Sequence, residues 1–110
     1  MTGKQQTQVL MLAVAPFLAV RPSAPVRCMQ AFLLVAQHPG ESVTGLARLS
    51  RQAVSTMSRT LLDLGDHTRT GKPGMKLIRS TYNPAHAGAA SYRLTERGYA
   101  LLGKMIEAIN

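Results

Sequence analysis

The chain has 110 residues, of which 45% are hydrophobic, and its 13 basic and 5 acidic residues give a formal net charge of +8. This length and composition predict one folded domain with a small core and exclude a disordered tail. A small domain this basic favours a polyanionic partner, either nucleic acid or an acidic membrane surface, and the alternative is a soluble protein whose surface is merely cationic.

The residue types that carry chemistry predict neither an enzyme nor a metal site. Cys28 is the single cysteine, so there is no disulfide framework and a reducing cytoplasm is the expected location. The histidines lack metal-ligand spacing, and the carboxylates occur singly, with no acid–base pair and no glycine-rich phosphate loop. We therefore expect no metal and no cofactor. Cys28 beside Arg27 is either a small buried hydrophobe or a sensor thiol with a lowered pKa.

The N-terminal segment, residues 1–22, is dominated by an apolar run between positions 9 and 20. Residues 1–8 are polar and are predicted to be frayed. The run is shorter than the about 20 residues that span a bilayer, and Pro16 makes a poor signal-peptide cleavage site. We expect a helix that Pro16 kinks or ends. Because a monomer of this size cannot easily cover a helix that is apolar on all sides, the run predicts a homodimer.

The middle segment, residues 23–94, begins with a helix that is predicted to run from about Pro25 to Gln37. Ser23 is its expected N-cap, and a His-Pro-Gly sequence ends it. Its valine, methionine, phenylalanine and leucine residues form a broad apolar face, which is typical of an amphipathic helix that packs on a core.

Residues 42–64 predict two short helices joined by a tight turn, in which Ser42 caps the first helix and Gly65 ends the second. Arg51 lies in this tight turn, at a position that favours glycine. Apolar residues recur at the spacing of a helix with one buried stripe, and small polar or cationic residues separate them. The apolar positions are Leu46, Ala47, Leu49, Val54, Met57, Leu61 and Leu64, and the polar positions are Ser55, Thr56, Ser58, Arg59 and Thr60.

This division of the second helix fits a recognition helix. The apolar side anchors to the domain, while the polar side enters a DNA major groove about 12 Å wide. Short hydroxyl side chains donate to phosphates or base edges, and Arg59 is long enough for either. The alternative is an ordinary amphipathic helical hairpin with a solvated face.

Basic residues concentrate in and just after this pair of helices. Between Arg48 and Arg93 there are eight basic residues and two acidic ones, and eight minus two gives +6 of the total +8. The excess therefore does not form a terminal tail. The basic residues are Arg48, Arg51, Arg59, Arg69, Lys72, Lys76, Arg79 and Arg93, and the acidic ones are Asp63 and Asp66.

A β-hairpin with a long tip is predicted after the two helices. Residues 66–75 form a polar loop, which is either a phosphate-contacting arm or a flexible solvated loop. Strands are predicted from Met75 to Tyr82 and from Ser91 to Thr95, with a turn-rich tip at 83–90 between them. This order is that of a winged helix whose wing is the tip, and the alternative is a structural hairpin without a ligand.

The C-terminal segment, residues 95–110, predicts a last helix that Thr95 caps, with Glu96 in the first turn where a negative charge is favoured. Its apolar stripe belongs either to a dimer interface or to the core of the chain itself. The stripe consists of Tyr99, Leu102, Ile106 and Ile109.

Three motifs in this order resemble the DNA-binding domain of MarR-type winged-helix regulators. They are Leu46-Ala47 and the two stretches at 55–59 and 94–98. The resemblance covers roughly residues 25–105 and implies a mainly α, α+β fold: a winged helix-turn-helix with a two-stranded wing and terminal dimerisation helices. The acidic-x-Arg motif of the family's wing is absent, residues 66–75 look like an insertion, and the last helix is short.

The resulting hypothesis is a cytoplasmic, nucleoid-associated homodimer that binds double-stranded DNA sequence-specifically as a repressor, and that binds no membrane. The sequence does not indicate whether a small molecule regulates the protein. The alternatives are an architectural or accessory DNA-binding protein of a mobile element, a protein-interaction winged helix, and a membrane-surface protein. The candidate DNA-contacting residues are Arg51, Gln52, Ser55, Thr56, Ser58, Arg59, Arg69, Lys72, Lys76, Arg79, His86 and Arg93.

Overall fold

The computed structural model describes residues 2–82 and 90–110 of the chain. Within these ranges the chain forms five α-helices and one two-stranded antiparallel sheet, which confirms the predicted α+β winged helix-turn-helix architecture. The helices are α1 (Gly3–Val20), α2 (Val26–Gln37), α3 (Val43–Ser50), α4 (Val54–Leu64) and α5 (Glu96–Glu107), and the strands are β1 (Ile78–Tyr82) and β2 (Ala90–Leu94).

Helix α2 lies at the centre of the core, where it packs against α3, α4 and β2. Its buried side consists of Cys28, Ala31, Phe32 and Val35. The ring of Phe32 packs against the ring of Phe17 on α1, with 5.8 Å between the ring centroids, a separation typical of a favourable aromatic pair. This contact joins the N-terminal helix α1 to α2.

The buried stripe of α4 fixes the helix-turn-helix unit, residues 42–64, to this core. Met57, Leu61 and Leu64 are buried, as the spacing predicts. The prediction is wrong for Leu49 and Val54, which are 48% and 47% exposed. Both residues flank the turn between α3 and α4, where the chain leaves the core.

Thr60 also departs from the prediction, because it is fully buried and does not belong to the polar face of α4. Its hydroxyl donates a hydrogen bond to the carbonyl oxygen of Thr56 at 2.9 Å. A buried hydroxyl that finds a partner one turn back in its own helix costs little. The polar face of α4 is therefore narrower than the sequence predicts.

Helix α1 includes residues that the sequence predicts to be frayed. The Thr2 side chain accepts a hydrogen bond from the Gln5 N–H, and the Gln5 side chain accepts one from the Thr2 N–H, which is a capping box. Pro16 does not end the helix, which continues to Val20. Phe17 follows Pro16 and is buried, so its packing outweighs the backbone hydrogen bond that proline cannot donate.

Two other predicted boundaries are wrong. Pro25, and not Ser23, is the N-cap of α2, and no side chain caps that helix. Strand β1 begins at Ile78 instead of Met75, because the N–H groups of Met75 and Leu77 donate to carbonyl oxygens at the end of α4. The backbone before β1 therefore forms its hydrogen bonds with the end of α4 and not with the sheet.

Thr95 caps α5 as predicted, since its hydroxyl oxygen accepts a hydrogen bond from the Gly98 N–H at 3.0 Å. The helix buries Leu101 and Met105 in the core. The predicted stripe lies mostly on another side of the helix, with Leu102 only partly buried, so it does not form the core contact. Its exposed members are Tyr99 (56% exposed), Ile106 (42%) and Ile109 (65%).

Cys28 is buried in the core cluster. Burial raises the pKa of its thiol and the nearby Asp63 carboxylate raises it further, while the charges of Arg27 and Arg21 lower it by less. The thiol therefore stays protonated at neutral pH and is a poor nucleophile. The structure supports the interpretation of Cys28 as a small buried hydrophobe and not as a sensor thiol.

Two neighbouring leucines of α4 provide a matched test of how this helix is anchored. Leu61 is 3% exposed and Leu62 is 44% exposed. We expect Leu61→Ala to lower the free energy of unfolding by about 2–5 kcal/mol, because it leaves a cavity in the core. Leu62→Ala should lower it by less than about 1 kcal/mol. Urea denaturation followed by circular dichroism measures both values, and equal losses would contradict the burial of only one side of α4.

Candidate nucleic-acid interface

The turn between α3 and α4 contains one residue in a left-handed conformation. Ser42 first caps α3 by accepting a hydrogen bond from the Gly45 N–H at 3.1 Å. Arg51 then ends α3 with a φ of 56°, in the region that favours glycine, as the sequence indicates. The Arg51 side chain is exposed, so its positive charge is available to an anion at the turn.

Gln52, the next residue, is held by contacts within the protein. Its backbone N–H donates to the Ala47 carbonyl oxygen at 3.0 Å, and its side-chain amide donates to Oε1 of Gln30 on α2, also at 3.0 Å. Its own Oε1 is buried and has no hydrogen-bond partner among the described residues. A contact between Gln52 and DNA stays a prediction.

The polar face of α4 is exposed. Ser55, Thr56, Ser58 and Arg59 are all accessible to solvent, as a recognition helix requires. Leu62 lies next to Ser58 on this face, because residues four apart are neighbours on a helix surface, and it is 44% exposed. Leu62 is not among the residues that the sequence patterns identify for this face, although its spacing of four residues from Ser58 places it there.

A cavity of about 350 Å³ lies between α4 and the wing strands. Tyr92 lines this cavity, and burial raises the pKa of its phenol, so the phenol stays neutral and able to donate a hydrogen bond. Sequence reasoning missed Tyr92 and Ser80, because only the pairing of the strands brings them to α4. The lining residues are Ser58, Leu61 and Leu62 of α4, Ile78, Arg79, Ser80 and Tyr92 of the strands, and Gly65, Asp66 and His67 between them.

Two arginines face each other across the wing strands. In the antiparallel register Arg79 lies directly opposite Arg93, and both side chains are exposed. Like charges at opposite positions of a sheet destabilise it, so this pair favours a bound anion. Glu41 forms a β-bridge with Tyr92 and thereby pairs with the second edge of β2. His86, with the rest of the predicted tip except residue 90, lies outside the described residues.

Residues 66–74 form a short hairpin, which we call the arm. The Thr68 N–H donates to the Lys72 carbonyl oxygen at 2.7 Å, which closes the hairpin. Arg69 and Lys72 are exposed on the arm, and Lys76 is exposed just after it. The polar loop of the sequence is therefore a hydrogen-bonded element that carries positive charge beside α4.

The arm and α4 share a second cavity of about 330 Å³, which is lined by Arg59, Asp63, Thr68, Arg69 and Thr70. The exposed face of α4 is thus bordered by the wing strands and by the arm. Of the candidates that the structure describes, Ser58 and Arg79 line the first cavity, and Arg59 and Arg69 line the second.

The two terminal helices pack against each other and carry a separate apolar surface. Scattered exposed apolar side chains are ordinary, but a group of them on adjoining helices is typical of an interface. The exposed members are Leu10, Met11, Leu12 and Leu18 of α1 with Tyr99, Ile106 and the adjoining Ile109 of α5.

Two kinds of feature are absent from the part of the chain that the structure describes. None of the described helices is long and apolar enough to cross a membrane. Across residues 2–82 and 90–110 there is no group of three or more His, Cys, Asp or Glu side chains able to hold a metal ion.

Comparison with solved structures identifies the fold. The MarR family transcription regulator SP03579 superposes with a TM-score of 0.65 at 22% sequence identity, over 96% of this chain and 64% of that protein. The transcriptional repressor CouR, bound to a 23-mer DNA duplex, superposes with a TM-score of 0.66 at 20% identity, over 96% of this chain and 68% of CouR. The chain has the fold of the MarR-type winged-helix regulators.

A further solved structure and the sequence comparisons show that the similarity is one of fold. RV1404 from Mycobacterium tuberculosis superposes with a TM-score of 0.73 at 16% identity, over 96% of this chain. The chain spans slightly less than two thirds of the length of RV1404 and of SP03579, at 66% and 64%. No protein-family model matches the sequence, and a search of curated proteins found no match. The likeness therefore lies in the MarR-type fold and not in the sequence as a whole.

Proposed function

We propose that the chain is a sequence-specific, double-stranded-DNA-binding transcriptional regulator that acts as a homodimeric repressor in the cytoplasm, associated with the nucleoid. The observation that carries this proposal is the exposed polar face of α4, which is anchored from behind by a buried stripe and bordered by arginines of the wing strands and the arm. The fold shared with CouR, which was solved on a DNA duplex, supports the same use of this face.

The residues divide into base-reading and phosphate-contacting groups. A helix in the major groove presents its side chains to base edges, and Ser55, Thr56, Ser58 and Arg59 occupy the exposed face of α4. Cations around the helix fix its register on the duplex but read no sequence. The phosphate-contacting group is Arg51, Arg69, Lys72, Lys76, Arg79 and Arg93, and Gln52 and His86 remain candidates.

The apolar surface of α1 and α5 is assigned to a second copy of the chain. The two helices pack together, so their exposed apolar side chains belong to one module that adjoins the DNA-binding unit. Leaving such a group in water is unfavourable, and a two-fold dimer buries it on both copies at once. The same symmetry presents two α4 helices to two half-sites of one duplex.

A charge placed within this apolar surface should separate the two copies. Ile106 on α5 is 42% exposed, and Val26 on α2 is 77% exposed and lies outside the surface, so it is a matched control. We expect Ile106→Glu to be monomeric, because a carboxylate buried without a partner is strongly unfavourable. The unchanged chain and Val26→Glu should both sediment as dimers. A monomeric unchanged chain, or a dimeric Ile106→Glu variant, would argue against the assignment.

The DNA-binding proposal is tested with two arginine variants. Arg59→Ala removes a guanidinium from the face of α4, whereas Arg97→Ala removes one from α5, where Arg97 shares a cavity with Pro16 of α1. Fluorescence anisotropy measures binding to the DNA upstream of the chain's own gene and to a random-sequence duplex across a salt series. We expect tighter binding to the upstream DNA and a steep salt dependence on both.

Arg59→Ala should weaken binding to the upstream DNA by about 1–3 kcal/mol, and Arg97→Ala should have a much smaller effect. If affinity is lost only on the upstream DNA, Arg59 reads a base. If affinity is lost equally on both duplexes, Arg59 contacts a phosphate. Equal affinity of the unchanged chain for both duplexes would favour an architectural role. No binding to either duplex at low salt would refute DNA binding.

A further inference from the structure

We propose that the arm is a phosphate clamp, which grips the DNA backbone along one edge of the major groove while the wing strands contact the other edge. The inference rests on the proposed DNA binding and specifies which DNA backbone is contacted by the segment that interrupts the MarR-type pattern. It assigns Arg69 at the tip of the arm to a backbone phosphate, with Thr68 and Thr70 as further donors.

The base of the arm is fixed to the C-terminal end of α4. The last carbonyl groups of a helix lack partners within it, and here the returning backbone supplies them. Gly74 passes so close to Gly65 that a Cβ atom at Gly74 would collide with the Gly65 carbonyl. The hydrogen bonds run from the N–H of Met75 to Asp63, of Lys76 to Gly65 and of Leu77 to Leu64, over 2.8 to 3.0 Å.

The tip of the arm is ordered by contacts of its own. The Gly71 N–H donates to the Thr68 carbonyl oxygen at 3.0 Å, and Gly71 has a φ of 84°, which suits a tight turn. The Arg21 guanidinium donates to the Pro73 carbonyl oxygen at 3.0 Å and so connects the arm to the end of α1. Because the hairpin is already ordered, binding through it costs little conformational entropy.

The tip carries the groups that bind a phosphate. Arg69 lines the cavity of about 330 Å³ together with Arg59, and the hydroxyl oxygens of Thr68 and Thr70 lie 3.2 Å apart at its rim. Guanidinium and hydroxyl groups donate to phosphate oxygens. Asp63 lines the same cavity and its carboxylate opposes an anion, but two arginines outnumber one carboxylate.

The tip of the arm and the wing strands border different sides of α4. Ser58 and Leu62 line the cavity next to the strands, and the base of the arm also lines that cavity through Asp66 and His67. Arg59 and Asp63 line the cavity next to the tip of the arm. Consecutive residues of an α-helix point about 100° apart, so these two borders lie on separate sides of the exposed face. A helix in a major groove has one phosphate backbone on each side. The arm is therefore placed to contact the backbone that the wing strands do not.

The first test compares Arg69→Ala with Arg97→Ala in the full chain on a random-sequence duplex across a salt series. One lost phosphate contact should lower the slope of log affinity against log salt by about 1 and weaken binding about fivefold to tenfold at 0.1 M salt. Arg97→Ala should keep the slope of the unchanged chain. If Arg69→Ala behaves like Arg97→Ala while the unchanged chain binds, the arm is a solvated loop and the inference is wrong. Absence of binding by the unchanged chain would instead contradict the proposed function itself.

The second test locates the contact. Ethylation interference on the upstream duplex identifies the phosphates whose modification weakens binding. Arg69→Ala should abolish the interference at a group of phosphates on one edge of the groove. Arg79→Ala, a variant of the wing strand, should abolish it at a different group. Loss of the same phosphates in both variants would show that the arm and the wing strands contact one backbone, and it would overturn the placement of the clamp.

Discussion

The return of the chain from α4 into β1 is the constraint on which the rest of the structure depends. The Leu77 N–H donates to the Leu64 carbonyl oxygen at 2.8 Å, and both side chains are fully buried. The Leu77 carbonyl oxygen accepts a hydrogen bond from the Thr95 N–H at 3.0 Å, and the Thr95 hydroxyl donates to the Lys76 carbonyl oxygen at 2.8 Å. Two consecutive residues, Lys76 and Leu77, therefore connect α4, the wing strands and the start of α5.

This connection relates the two proposed surfaces to each other. The N-cap residue of α5, Thr95, bonds to the segment that follows α4, so the direction of the terminal helix is fixed relative to the polar face of α4. A dimer built on α1 and α5 would therefore set the separation of its two α4 helices, and with it the spacing of the half-sites on DNA. The arm begins at the same end of α4, so its position relative to the polar face of α4 depends on the same hydrogen bonds.

Local signals predicted the helix-turn-helix unit, the caps at Ser42 and Thr95 and the left-handed Arg51. Features set by tertiary packing were not predictable, since only pairing across the fold brings Tyr92 to α4 or Gln52 to Gln30. Periodicity also failed where a helix has two apolar sides. On α5 the apolar stripe that includes Ile106 has helical spacing, and so does the pair Leu101 and Met105. The spacing alone therefore does not determine which side of the helix packs on the core. The arm has no periodic apolar pattern, and its order comes from hydrogen bonds within the hairpin and from those that join the following residues to the end of α4.

Selection of bound duplexes from a random-sequence pool tests most directly the central claim that a two-fold pair of α4 helices reads DNA. We expect enrichment of an inverted repeat whose half-site centres lie about 10 base pairs apart, one helical turn, because each copy of the chain reads one half-site. Recovery of an unrepeated sequence would contradict the dimer on DNA. Recovery of no enriched sequence, from a protein that binds the pool tightly, would contradict base reading by α4.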